Sequence, residues 1–287
     1  MERILEVKNI SKEFDNFNLK NITFDLEKGN IMGLVGKNGY GKTTTIKLIL
    51  GMLKRNSGYV NIFDKNIDEN EIYIKQQIGV VFDTNYFIDD WSFKDVEKLF
   101  EIFYTNWNHD NFLKLVNKFN LQDRKVSELS KGMQMKLMLA CALSYDAKLL
   151  ILDEPTSGLD PVSRNELLEI ITEYVRDKEH SVIFSTHITS DLEKVADSIT
   201  FINEGNLVYT GSKNDLLQKY RVINGNLDEL SLEMKNKLIG ISKNLVVFEG
   251  LISIEDLDLF KEFSSRNASI DDIVIFISKG EQGWLVL

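Results

Sequence analysis

The chain has 287 residues, 43% hydrophobic and 27% charged, with only 2 prolines, the composition of a folded globular protein rather than a disordered or low-complexity one. A formal net charge of −10 argues against a general phosphate-backbone binder, which needs clustered Lys and Arg, so no nucleic-acid partner is expected. The single cysteine, Cys141, excludes a disulfide framework or a cysteine-built metal site within one chain and fits a reducing cytoplasm.

The N-terminal "MERILEVKNISKEF" lacks the apolar stretch of a signal peptide. No apolar run approaches the roughly 20 residues of a membrane-crossing helix, so any membrane role is expected to be peripheral. Residues 1–30 alternate with period two ("ILEV", "NITFDLEKGN"), which predicts antiparallel strands. Next, "IMGLVG" is a short apolar run closed by glycine, and "KTTTIKLILGML" has helical spacing: strand, loop, helix. The loop "GKNGYGKT", Gly36 to Thr43, fits the phosphate-binding pattern G-x-x-x-x-G-K-[ST] in the strand–helix context that its mechanism needs. Gly36, Gly39 and Gly41 would let successive backbone N–H groups turn inward around phosphate oxygens, at the positive end of the following helix. Lys42 would reach the β/γ-phosphates and Thr43 would ligate Mg²⁺, while Asn38 and Thr44 lie within contact of the same phosphates. The plainer alternative is a glycine-rich turn with no ligand. Tyr40 is bulky for its place in such a loop.

From about Asp83 to Asp146 the pattern is mainly helical ("DVEKLFEIFYTNW", "NFLKLVNKFN", "KGMQMKLMLACALS") and reads as an inserted helical subdomain. The last of these helices opens on "SKG", with Ser130 a fitting cap. Alternation resumes with "LLILDEP", Leu149 to Pro155, whose unbroken apolar run predicts a central parallel strand covered on both faces. Two acids close it: Asp153 would hold Mg²⁺ through water and Glu154 could take a proton from an attacking water, although acids at a strand end are often only solvated. Asp160 and Pro161 form a helix start. "SVIFSTH" predicts another strand, placing His187 on the same sheet edge as the phosphate loop and the two acids, where open α/β sheets bind ligands. His187 is therefore the expected γ-phosphate sensor, while His109 and His180 read as loop or surface residues with no metal-ligand grouping. Two short strands, "SITFI" and "NLVYTG", flank a turn at Asn203–Asn206. Past about Tyr220 come short mixed elements, including "NLVVFEGL" and "DDIVIFISKG", the latter able to bury a strand. Acidic residues outnumber basic ones beyond this point, so the tail is no basic arm.

At this point the chain resembles the nucleotide-binding subunit of ATP-binding-cassette (ABC) transporters over roughly residues 1–220, because five motifs fall in the family's order. "GKNGYGKTT" resembles its phosphate loop, "LSKGM" its signature sequence, "LLILDEP" its magnesium and general-base strand, "SGLD" (with Asp160) its D-loop, and "STH" its switch histidine. The resemblance implies an α/β fold: a P-loop NTPase core with an antiparallel β subdomain and an inserted α-helical subdomain (about 83–146) in residues 1–220. Residues 221–287 would add a small α+β C-terminal domain. It implies ATP and Mg²⁺ as cofactors, Phe14 stacked on adenine, and Ser130 and Gly132 closing over the γ-phosphate held by a second ATPase subunit. A separate integral membrane subunit would be driven from the cytoplasmic face of the membrane.

Two positions depart from the family. Met133 replaces the usual glutamine of the signature and lacks its side-chain hydrogen bonds. Asp83, in "IGVVFDTNYF", stands where the family has glutamine; it could still ligate Mg²⁺ or orient water, but brings a charge. The signature, Asp83 and the tail are similar to bacterial drug and peptide exporters, including exporters of toxin peptides. The aromatic-rich stretch from about Phe82 to Trp107 is expected to dock a membrane subunit. DNA-repair relatives would need a long coiled-coil insertion and ribosome-acting ones usually two cassettes and basic segments, features this chain lacks; a regulatory binder with degraded catalysis stays open.

Overall fold

The computed structural model describes residues 2–122, 124–244 and 246–279. β1 (Arg3–Phe14) and β2 (Phe17–Glu27) form an antiparallel hairpin, followed by β3 (Ile31–Val35) and α1 (Lys42–Ile49). β4 (Ser57–Ile62), β5 (Lys65–Asn66), α2 (Glu71–Lys75) and β6 (Ile78–Val81) lead into three helices, α3 (Phe93–Phe103), α4 (His109–Lys118) and α5 (Lys131–Leu143). Alternation resumes with β7 (Leu149–Asp153), α6 (Pro161–Tyr174), β8 (Ser181–Thr186), α7 (Thr189–Val195), β9 (Ser198–Asn203), β10 (Asn206–Ser212) and α8 (Lys213–Lys219). The chain continues through β11 (Tyr220–Asn226), α9 (Leu232–Lys237), β12 (Gly240–Asn244), β13 (Val247–Ser253), β14 (Ser264–Asn267) and α10 (Ile270–Lys279).

A 10-stranded sheet runs β5-β4-β1-β2-β10-β9-β3-β8-β7-β6. Its first four strands pair antiparallel, whereas β9, β3, β8, β7 and β6 are parallel. The unbroken apolar run of β7 now has its reason. Leu149 and Ile151 join one buried cluster with Ile46 and Ile49 of α1, while Leu150 and Leu152 join a second cluster with α5 and α6. Successive side chains point to opposite faces, and both faces are covered. No helix among the described residues is long and apolar enough to cross a membrane.

A second sheet, β12-β13-β11-β14, begins at Tyr220, close to the expected boundary; residues 280–287 of the expected C-terminal domain lie outside the described residues. One expectation fails here. The segment "DDIVIFIS" is helix α10, not a strand. Ile270, Ile273, Val274 and Ile277 recur at helical spacing, and Ser269 and Asp272 cap the helix reciprocally, Ser269 N–H donating to Asp272 Oδ2 at 2.8 Å and Asp272 N–H to Ser269 Oγ at 3.1 Å. Spacing and cap outweigh the β-branched composition. The buried Ile270, Ile273, Val274 and Phe276 join the large cluster that contains Leu192 of α7.

Candidate functional site

Three adjacent parallel strands bring the site together. Val35 of β3 lies opposite Thr186 of β8, and Asp153 of β7 opposite Ser185. The glycine loop, His187 and Glu154 therefore leave the sheet at one edge, as the sequence predicted. Gly39 and Gly41 have φ of +83° and +111°, which L side chains rarely adopt; a Cβ on Gly41 would also stand 2.8 Å from Leu19 Cδ1.

The loop bounds a cavity of about 360 Å³ lined by Asn38, Gly39, Gly41, Lys42, Thr43, Thr44, Asp83, Glu154 and His187, together with Phe17 and Ser157. Lys42 is 5% exposed, donates to Gly36 O at 2.8 Å and lies 3.0 Å from Glu154 Oε1. The other oxygen, Oε2, faces His187, with Nδ1 at 2.6 Å and the His187 N–H donating at 3.2 Å. Behind this front, Thr43 Oγ1 donates to Asp153 Oδ2 at 2.8 Å and Ser185 Oγ to Asp153 Oδ1 at 2.5 Å. Glu154 has φ +51°, a left-handed conformation costing a non-glycine residue about 1 kcal/mol or more. Its N–H is held by both the carbonyl and the hydroxyl of Ser185, at 3.0 and 3.1 Å, so local hydrogen bonds offset the strain and turn the carboxylate toward Lys42.

Other expected residues lie apart from the cavity lining. Phe14 is 41% exposed; its ring is 6.3 Å from that of Phe17, which lines the cavity. Asp160 caps α6, accepting from Val162 and Ser163 N–H at 3.0 and 3.1 Å; the hydrogen bonds from Ser163 hold its carboxyl below the ordinary value. Ser130 caps α5, accepting from Met133 N–H at 3.3 Å. A Cβ on Gly132 would meet only ordinary contacts, Leu159 Cδ2 at 3.5 Å being the nearest. Lys131 extends to Asp83, Nζ to Oδ1 2.6 Å, both side chains 43% exposed.

Sequence reasoning missed Phe17 and Ser157. Phe17 follows Phe14 across the hairpin turn, so only the register of β1 and β2 decides which ring meets the loop. Ser157 stood in the quoted "SGLD" and was passed over for Asp160. The two remaining histidines also differ from expectation. His109 opens α4 with Nδ1 hydrogen-bonded to Glu97, which raises its pKa, and the ligand atoms of Glu97, Glu101 and His109 all lie within 4.8 Å of one another. These three could hold a metal ion: Glu97 and Glu101 lie one turn apart on α3, and the start of α4 brings His109 beside them. His180, with its side chain 13% exposed, is held between Asp177 at 2.8 Å and Asp146 at 3.2 Å.

Comparison with known proteins places this geometry in a family. The family model described as ABC transporter matches residues 19–157. The lantibiotic transport ATP-binding protein SrtF of Streptococcus pyogenes is 32% identical over 219 residues, 74% of this chain and 93% of that protein. The bacitracin transport ATP-binding protein BcrA of Bacillus licheniformis is 31% identical over 213 residues, covering 72% and 69%. A solved ATP binding subunit of an ABC transporter superimposes with a TM-score of 0.67 at 29% identity, covering 74% of this chain and 91% of that one. The chain thus belongs to the ATP-binding subunits of ABC transporters, ATPases that hydrolyse ATP to drive transport.

Proposed function

We propose that this ATPase powers the export of drugs or amphipathic peptides through a separate integral membrane subunit at the cytoplasmic face of the membrane, working head to tail with a second ATPase subunit. The observation that carries the reading is an apolar groove of about 980 Å³ whose lining includes the aromatics Phe82, Tyr86 and Phe103 together with Asp83, Thr43 and Asp153 of the candidate site. Phe103 is 62% and Ile72 82% exposed, and apolar exposure of this kind suits a partner helix. The names of SrtF and BcrA, a lantibiotic and a bacitracin transport protein, support amphipathic peptides as cargo.

Within the site, the N–H groups of the glycine loop and Lys42 would bind the phosphates, with Asn38 and Thr44 beside them. Phe14 and Phe17 would cover the adenine. Thr43 and Asp153, whose oxygens are 2.8 Å apart, suit Mg²⁺ as hard oxygen donors, with Asp83 facing the same cavity. Bound there, the ion would neutralise phosphate charge. Glu154 would accept the proton of the attacking water. Its buried Oε1 makes no hydrogen bond and has only the Lys42 ion pair, so an acceptor is available once Lys42 turns to phosphate. His187 would orient the γ-phosphate and steady Glu154. Among the described residues a Cβ at 132 would meet only ordinary contacts, so nothing there demands a glycine; close approach by the second subunit's nucleotide gives it a reason. Asp160, committed to its cap, would act by placing α6.

The test is peptide sensitivity of the host. Deleting the chain should sensitise cells to an amphipathic antimicrobial peptide, the wild-type copy should restore resistance, and Phe103→Asp should fail to restore it while retaining ATP binding. Unchanged sensitivity to lantibiotics and bacitracin alike on deletion would sink the export reading.

A further inference from the structure

We infer that Thr189 and Glu193, on α7, are positioning residues through which the C-terminal segment sets the orientation of His187 and so acts on hydrolysis rather than on nucleotide binding. The inference rests on the proposed role of His187. Helix α7 starts two residues after this histidine, so a shift of α7 would reach the His187 backbone through one intervening residue, Ile188.

Two elements fix α7. On the α6 side, Arg164 Nε lies 3.9 Å from Asp191 Oδ2; Asp191 is 1% exposed and neither of its oxygens accepts a hydrogen bond. Lys194 adds a bond to Asn165 at 3.3 Å. On the other side is α10. Thr189 and Glu193 are four apart and share a helix face, and that face grips the first turn of α10. Thr189 Oγ1 donates to Asp271 Oδ1 at 3.2 Å. The Ile270 N–H, one of the donors that a helix start leaves without an internal partner, donates to Glu193 Oε1 at 2.8 Å. Leu192 and the apolar face of α10 share one buried cluster.

The first turn of α10 is in turn tied to the second sheet. Arg266 of β14 donates to both oxygens of Asp272, at 2.5 and 2.9 Å, and to Glu249 of β13 at 2.7 Å. The route therefore runs from the second sheet through Arg266 and Asp272 to the first turn of α10, from Asp271 and Ile270 of that turn to Thr189 and Glu193, and along α7 to His187 and its partner Glu154. Losing one of these peripheral hydrogen bonds should leave the fold intact, yet a displacement of about 1 Å at a catalytic group can cost about 10²-fold in rate. This disparity separates a positioning effect from loss of fold.

Spatial continuity alone is not coupling, so the test is a double-mutant cycle on the full chain with its membrane partner, ATP and Mg²⁺. Glu193→Ala and Thr189→Val should each lower kcat by about tenfold with KM and equilibrium binding of a fluorescent ATP analogue little changed. Glu193→Gln, which keeps an acceptor oxygen, should recover most of the turnover. In a His187→Ala background, Glu193→Ala should cause no further loss. An equal additional loss there, or full turnover in both single variants, would overturn the inference while leaving the proposed site intact. Full turnover in His187→Ala would overturn both.

Discussion

Two lysine–carboxylate pairs each place a carboxylate in the lining of the same cavity, and they are built differently. Lys42 and Glu154 meet at 3.0 Å with 5% and 13% of their side chains exposed, following β3 and β7, two strands of one parallel sheet that flank β8. Lys131 and Asp83 meet at 2.6 Å with 43% of each exposed, bridging the start of α5 to the segment after β6. The shorter distance does not make the stronger pair. Water and salt screen an exposed ion pair to about 0–1 kcal/mol, whereas a buried charge that loses its partner is strongly destabilising. The first pair is thus suited to hold catalytic groups in place. The second is a contact that nucleotide or a second subunit can break at small cost.

The sharpest test lies at Glu154. Glu154→Gln keeps shape but removes the base, so ATP turnover should fall at least about 10²-fold while ATP binding survives. Sedimentation with ATP and Mg²⁺ should then show a persistent dimer that Ser130→Arg abolishes. Near-normal turnover would remove Glu154 from the base role, and a dimer indifferent to ATP and to Ser130→Arg would remove the closure across the α5 start.

The comparison itself is tested by stability. Lys42→Ala strands a buried carboxylate and should cost the isolated chain about 3 kcal/mol in urea unfolding, against less than about 1 kcal/mol for Lys131→Ala, the latter shrinking further at high salt. Equal losses would erase the distinction.

A third pair, Arg266–Asp272, falls between, with 47% and 16% of the side chains exposed. Burial pushes the Asp272 carboxyl upward, but the Arg266 and Ser269 hydrogen bonds outweigh it, and its pKa falls from 3.8 to about 2. A depressed carboxylate contributes stability above its unfolded value and loses it as pH falls through the folded one. The melting temperature should therefore decline between about pH 4 and pH 2 more steeply in the wild type than in Asp272→Asn. Parallel profiles would show that this pair contributes nothing to folding.

The grouping of the candidate site at one sheet edge was legible in the sequence because its determinants are short-range. A glycine loop between strand and helix, two acids after a doubly covered strand, and a histidine after its neighbour each carry their own geometry, and parallel pairing does the rest. What escaped depended on distant segments meeting. Lys131 finds Asp83 across 48 positions, His109 finds Glu97 on another helix, and Phe17 joins the cavity lining by hairpin register. Helix α10 escaped for a different reason: four of the eight residues Ile270–Ile277 are isoleucine and one is valine, a composition that favours strands, and only the capping pair and the core waiting for its apolar face decide otherwise.

Glu154, held at φ +51°, and Gly132, a glycine that its own chain's packing does not require, bear on how this protein would respond to selection for robustness. Glycine at 154 would relieve backbone strain but leave the buried Lys42 without its partner, so the ion pair keeps the strained residue in place, whereas alanine at 132 would raise helix propensity. Thermostability screening of the lone subunit would therefore favour only the second change, which falls on a group proposed to act in subunit closure. Laboratory evolution toward a hardier subunit would then drift toward a sturdier but idle one unless transport were selected alongside.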